Sequence, residues 1–145
     1  MKHGSSSPII LLLSRIISPY IMLFGMYVIF HGHYSPGGGF QGGAMLAASV
    51  LLIRIAVDEK VHQMHFKKTM GIPLGVIGVL VFFGTGLISL LFGGYFLDYH
   101  LLPIPWLEAA DLRNAGILII EVGVGLAVMT ILVSIYDNLL EDDDV

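Results

Sequence analysis

The sequence contains no cysteine. Disulfides, thiolate zinc sites, iron–sulfur ligation and cysteine nucleophiles are therefore excluded together. Charge is scarce as well: 12% of the 145 residues are charged, about half the 25% or so usual in a soluble domain. The formal net charge is −4 and no basic cluster interrupts it, which gives nucleic acid nothing to bind. What fills the chain instead is apolar: 56% of residues are hydrophobic and the mean hydropathy is +0.86. Long uncharged runs of this kind take membrane lipid as their solvent.

Four such runs predict an all-α, four-span integral membrane protein. They cover about 8–30, 38–57, 70–92 and 113–136, each roughly 20 residues or more and long enough for a hydrocarbon core about 30 Å thick. Ser7 followed by Pro8 suits an N-cap and a first helical position, where the missing proline N–H costs nothing. Pro19 inside the first run removes a backbone hydrogen bond and predicts a kink, whereas Pro73 is placed in the first turn of the third run. A cleaved signal peptide is the competing reading of the first run. No small-x-small site follows it, only His31-Gly32-His33-Tyr34-Ser35-Pro36, so the span is read as retained.

The connections differ in character. Loop one, about 31–37, is short and predicts antiparallel neighbours. Loop two, about 58–69, carries Asp58, Glu59, Lys60, Lys67 and Lys68; loop three, about 93–112, carries Tyr95, Tyr99 and Trp106 with Pro103 and Pro105, a pattern for a segment at the bilayer interface. The acidic end Glu141-Asp142-Asp143-Asp144 reads as solvated. Lys2, Arg15, Arg54, Lys60, Lys67 and Lys68 fall on the side of the two termini and Arg113 alone on the other, so both termini are expected in the cytoplasm. There is no long soluble segment and no internal repeat, and the whole of 1–145 is read as one membrane domain.

The most unusual stretch runs from Gly32 to Gly43, GHYSPGGGFQGG. Gly37, Gly39 and Gly42 formally match a dinucleotide-binding pattern, but that pattern requires a preceding strand and a βαβ unit, not two membrane helices. The geometric reading is better. Pro36 and the glycines permit a tight turn with unusual backbone angles. Gly39, Gly43 and Ala47 then share one helix face, and Gly38 and Gly42 lie on a parallel stripe. Small residues let another membrane helix approach closely, so the stripe is expected to dock onto a neighbouring subunit. Gln41 sits inside the stripe and can hydrogen-bond across the helix interface.

This run resembles the signature of the MnhB/MrpB family, small membrane subunits of Mrp-type multisubunit cation/proton antiporters, whose module also occurs in membrane-bound hydrogenase and sulfane-reductase complexes. The resemblance implies a non-catalytic subunit of a larger Na+/H+ antiporter in a prokaryotic inner (plasma) membrane, or the equivalent subunit of a respiratory complex. Other hydrophobic subunits are then its partners and Na+ and H+ the transported ions. The lysines and glutamates that pump protons are implied to lie on those other chains. Outside the glycine run it rests on the four-span layout and on Glu121-Val122-Gly123-Val124-Gly125, where relatives often carry an aspartate near the position of Glu121.

Glu121 lies eight residues after Arg113, about 12 Å along a helix and well inside the span. An ionised, unpaired carboxylate there is costly, so it should face protein or water or stay protonated. It reads either as an ion relay, for protons or sodium, or as a neutral carboxyl bonded to a neighbouring helix; a sodium site needs several more oxygen ligands. Arg15 and Arg54 are expected to snorkel to the headgroups; the alternatives for Arg54 are an acidic partner on another subunit or Asp58, four residues on. None of the six histidines lies mid-span, which argues against haem or any metal site; no cofactor is expected. His33 is expected to hydrogen-bond backbone around the glycine turn, with proton entry as the alternative. The candidate ion-path residues are thus Glu121, His33 and Gln41, and the packing residues Gly37, Gly38, Gly39, Gly42, Gly43 and Ala47.

Overall fold

A computed structural model describes residues 7–34, 36–56, 68–104, 106 and 108–142. Lys2, Ser35, Asp58, Glu59, Lys60, His62, His65, Lys67, Pro105, Asp143 and Asp144 lie outside them, as do the side chains of Lys68, Glu141 and Asp142. Four helices follow in order: α1 (Pro8–Phe30), α2 (Gly38–Ala56), α3 (Lys68–Leu91) and α4 (Ala109–Asp142), with a short 3-10 turn at Tyr99–Leu101 before α4. All four are long and apolar enough to cross a membrane. Among the described residues there is no strand.

The expected bounds hold closely for α1 and α2 and shift for the other two. α3 starts at Lys68, which puts Pro73 inside the helix and beyond the first turn. α4 is 34 residues long, about 51 Å, because the polar residues expected to end it, Arg113 and the stretch past Tyr136, continue the helix beyond its apolar middle. α1 runs unbroken through Pro19, and Ser7 caps it without a side-chain hydrogen bond.

The packing is inside-out relative to a soluble bundle. On α1 the buried residues are Ser14, Ser18, Gly25 and Ile29, while Leu12, Ile16, Tyr20, Leu23 and Tyr27 face outward. Lipid rewards apolar exterior surface as readily as protein does, so close approach of small residues decides which face turns inward. Buried hydroxyls are satisfied locally or across the interface: Ser18 donates to the Ser49 carbonyl (2.8 Å) and Thr130 to that of Leu126 (2.8 Å).

Helices pair as α1 with α2, α2 with α4, and α4 with α3; among the described residues α3 touches neither α1 nor α2. Gly25 meets Gly42 across the antiparallel α1–α2 pair, and Gly78 meets Gly123 and Ala127 across the antiparallel α3–α4 pair. α2 and α4 instead run parallel in one register: Gly39 lies on Glu121 and Gly43 on Gly125, 82 residues apart, and Arg54 on Asp137, 83 apart. This topology puts the start of α1, Arg54 and the end of α4 at one end of the bundle, and the α1–α2 turn at the other.

The two hairpins differ in height. Twelve residues of α4 precede Glu121, about 18 Å of helix, so the α1–α2 turn is recessed below the outer end of α4. The segment between α3 and α4 folds back onto the outer ends of these two helices. Phe96 fills a notch at Gly86 and packs against Phe82 and Phe83, and Tyr99 seats its ring against Gly116.

A candidate ion-relay site under the recessed turn

The α1–α2 turn is shaped by glycine where only glycine fits. Gly37 and Gly38 have φ of +152° and +78°, a region that side chains rarely adopt. The helix that follows starts directly against Glu121. A Cβ on Gly39 would collide with the Glu121 backbone, and one on Gly32 would collide with the Glu121 carboxyl. Gly38 leaves the same carboxyl just enough room, with a Cβ falling 3.2 Å from Oε1. The glycines therefore bring the N-terminus of α2, with its partial positive charge, onto the one carboxylate in the middle of α4.

Among the described residues of this turn region, two fully buried polar atoms make no hydrogen bond: Glu121 Oε2 and His33 Nδ1. The imidazole and the carboxyl are close enough to interact electrostatically. His33 packs its ring against Tyr34 (centroids 4.0 Å apart). The expected bond from His33 to the turn backbone is absent; His31 makes that kind of contact instead, its Nδ1 lying 3.2 Å from the Tyr27 carbonyl oxygen.

Tyr99 closes the group from above. The sequence pattern groups it at the bilayer interface with Tyr95 and Trp106, which are 86% and 84% exposed. Tyr99 turns inward. Its hydroxyl is pushed above the usual tyrosine pKa, first by burial and then by the Glu121 carboxylate nearby. The sequence carries a weak signal for this: a tyrosine between glycine-rich and proline-rich segments can fold back, but only the seat at Gly116 shows that it does.

Gln41 does not join the site. Its side chain is exposed beside Gly37, 3.2 Å from where a Cβ would lie, and among the described residues it makes no hydrogen bond across a helix interface. The small stripe also has a different use from the one expected. Gly39 and Gly43 face α4 of the same chain, Gly42 faces Gly25 and Ile29 of α1, and Ala47 is buried. The stripe is consumed in the bundle and is not left over for a neighbouring subunit.

Arg54 also departs from expectation. It does not snorkel. It is buried and paired with Asp137 of α4, the side chains 5% and 11% exposed. Sequence reasoning misses Asp137, which stands at the end of an apolar run and looks like a solvated flank. Arg15 is exposed, as expected.

Small inward faces, a large apolar exterior and polar groups gathered at two levels define a multi-pass membrane protein with an internal carboxylate. Comparison with known proteins then narrows the class. Residues 9–134 match the family described as "Domain related to MnhB subunit of Na+/H+ antiporter". The chain is 33% identical, over 99% of both chains, to the B component of the Na(+)/H(+) antiporter of Alkalihalophilus pseudofirmus. It is 31% identical to the protein of that name in Bacillus subtilis, over 90% of each. Among solved structures, one chain of an archaeal respiratory complex, the membrane-bound sulfane sulfur reductase, superposes with a TM-score of 0.69 at 32% identity. That match covers 97% of this chain and 60% of the other. The chain belongs to the MnhB family of Na+/H+ antiporter subunits.

Proposed function

We propose that the chain is a non-catalytic membrane subunit of a multisubunit Na+/H+ antiporter, and that Glu121 with His33 forms a titratable step of its ion path. Four spans with one mid-helix carboxylate are too few for a self-contained exchanger, which is built from repeats and broken helices around a midplane site; other hydrophobic subunits complete the path. Residues 1–145 act as one domain. Both termini lie in the cytoplasm of a prokaryotic cell and the α1–α2 turn faces outward across the plasma membrane, as the distribution of lysine and arginine indicates.

The observation that carries this reading is the convergence of Gly32, Gly38 and Gly39 on Glu121. A merely structural carboxyl needs a hydrogen-bond partner, whereas Oε2 is buried and has none among the described residues. The test is Glu121→Gln in the assembled complex. Na+-driven proton movement in everted vesicles should fall severalfold while the subunits still co-purify. Unchanged exchange would reduce Glu121 to a structural group.

The likeness to a chain of a sulfane sulfur reductase complex favours one second reading, the equivalent subunit of a redox-driven complex. Co-purification separates the two: antiporter subunits alone, or redox subunits beside them.

A further inference from the structure

We infer that the ion handled at Glu121 is a proton, passed between the Glu121 carboxyl and the His33 imidazole beneath Tyr99, and not sodium. This deepens the reading above and rests on it. A sodium ion requires a shell of oxygen ligands. Apart from the Tyr99 phenol, the side chains that face Glu121 offer no such oxygen. From the α1–α2 turn comes His33, a nitrogen base whose protonated form repels a cation. From the segment before α4 comes the Tyr99 phenol. From the first turn of α2 come only glycines, whose N–H end of the helix favours an anion. Among the described residues of α1, no ionisable side chain bears electrostatically on the carboxyl.

Each of these features suits proton exchange. Imidazole can take a proton through one nitrogen and give it up through the other. The N–H end of α2 and the His33 imidazole both bear on the Glu121 carboxyl. His33 Nδ1 and Glu121 Oε2 are the two atoms in this region with unused hydrogen-bonding capacity. His33 Nδ1 and Glu121 Oε2 do not bond each other, so one intervening water carries the step: the carboxyl gives its proton to the water as the water gives one to the imidazole nitrogen, leaving a carboxylate and an imidazolium, and the reverse step restores both.

Dicyclohexylcarbodiimide reacts with protonated carboxyls in apolar surroundings and reports the state of Glu121 without a transport assay. The wild-type complex in membrane vesicles would be treated across a pH series, once in choline chloride and once in sodium chloride, and adduct on the peptide bearing Glu121 measured by mass. Labelling should fall roughly tenfold per pH unit above its midpoint, as a simple titration does, and should be the same in both salts. Protection by sodium would overturn the proton assignment while leaving Glu121 in the ion path. Absence of labelling at every pH would overturn both. In His33→Gln the loss of a charge that favours the carboxylate should carry the labelling profile to higher pH; an unmoved profile would show that the two groups share no proton. The salt comparison needs no variant, so it stands even if His33→Gln fails to assemble.

Discussion

Arg54 and Asp137 form a buried ion pair between two parallel helices. It closes the α2–α4 seam at the end opposite Glu121, in the same register that sets Gly39 on Glu121 and Gly43 on Gly125.

Removing one member should hurt more than removing both. Arg54→Leu leaves Asp137 in a buried position without its counter-charge, a change that costs about 3–5 kcal/mol. The double variant Arg54→Met, Asp137→Leu replaces the pair by apolar groups and should recover most of that loss. Melting temperature of the detergent-solubilised complex is the readout. A single variant as stable as wild type would show that the pair is not what holds the seam.

Two glycines provide a matched comparison. At Gly43 an added Cβ would lie 2.5 Å from the Gly125 carbonyl oxygen, a backbone atom that cannot move aside alone. Gly43→Ala should therefore spread α2 from α4 and cost about 1–3 kcal/mol, and Gly43→Leu should prevent the subunit from accumulating in the assembled complex. Gly84 has nothing within 4 Å of the same position, so Gly84→Ala should be neutral or stabilise by up to about 1 kcal/mol. Subunit abundance on native gels separates the two sites.

Tyr99 supplies a pH dependence of known sign. Its folded-state pKa is raised by burial and by Glu121, so in the unfolded chain the phenol ionises first. The stability it contributes is complete below the ordinary tyrosine pKa and is lost as pH rises through the folded value. Tyr99→Phe should remove that alkaline loss. The difference in absorbance near the phenolate band between wild type and variant should titrate later than free tyrosine; a difference that titrates like free tyrosine would place Tyr99 in solvent.

Much of this molecule is legible in the sequence because bilayer thickness sets a minimum length that few apolar runs reach by chance. The spans of α1 and α2 and their short antiparallel turn follow from that. The glycine run announces close packing too, but not its partner. Residues such as Gly39 and Glu121 are far apart in the chain, and a stripe of small residues looks the same whether it serves α4 or another subunit. Arg54 is hard to read for the same reason. Periodicity describes one helix at a time, and its partner stands 83 residues away. The topology holds the missing signal: with three turns between four spans, α2 and α4 run in the same direction. An acid about as far beyond Glu121 as Arg54 is beyond Gly39 is then the natural partner, and Asp137 occupies that place.

The recess of the α1–α2 turn has an electrical consequence. Any charge that arrives at Glu121 from the side of that turn has descended past about 18 Å of α4, so it has already traversed part of the voltage drop across the bilayer. A full crossing is worth about 2.3 kcal/mol per elementary charge at 100 mV. If Glu121 relays a proton as proposed above, its occupancy is coupled to membrane potential as well as to pH, and a cell that polarises its membrane changes how readily the group fills.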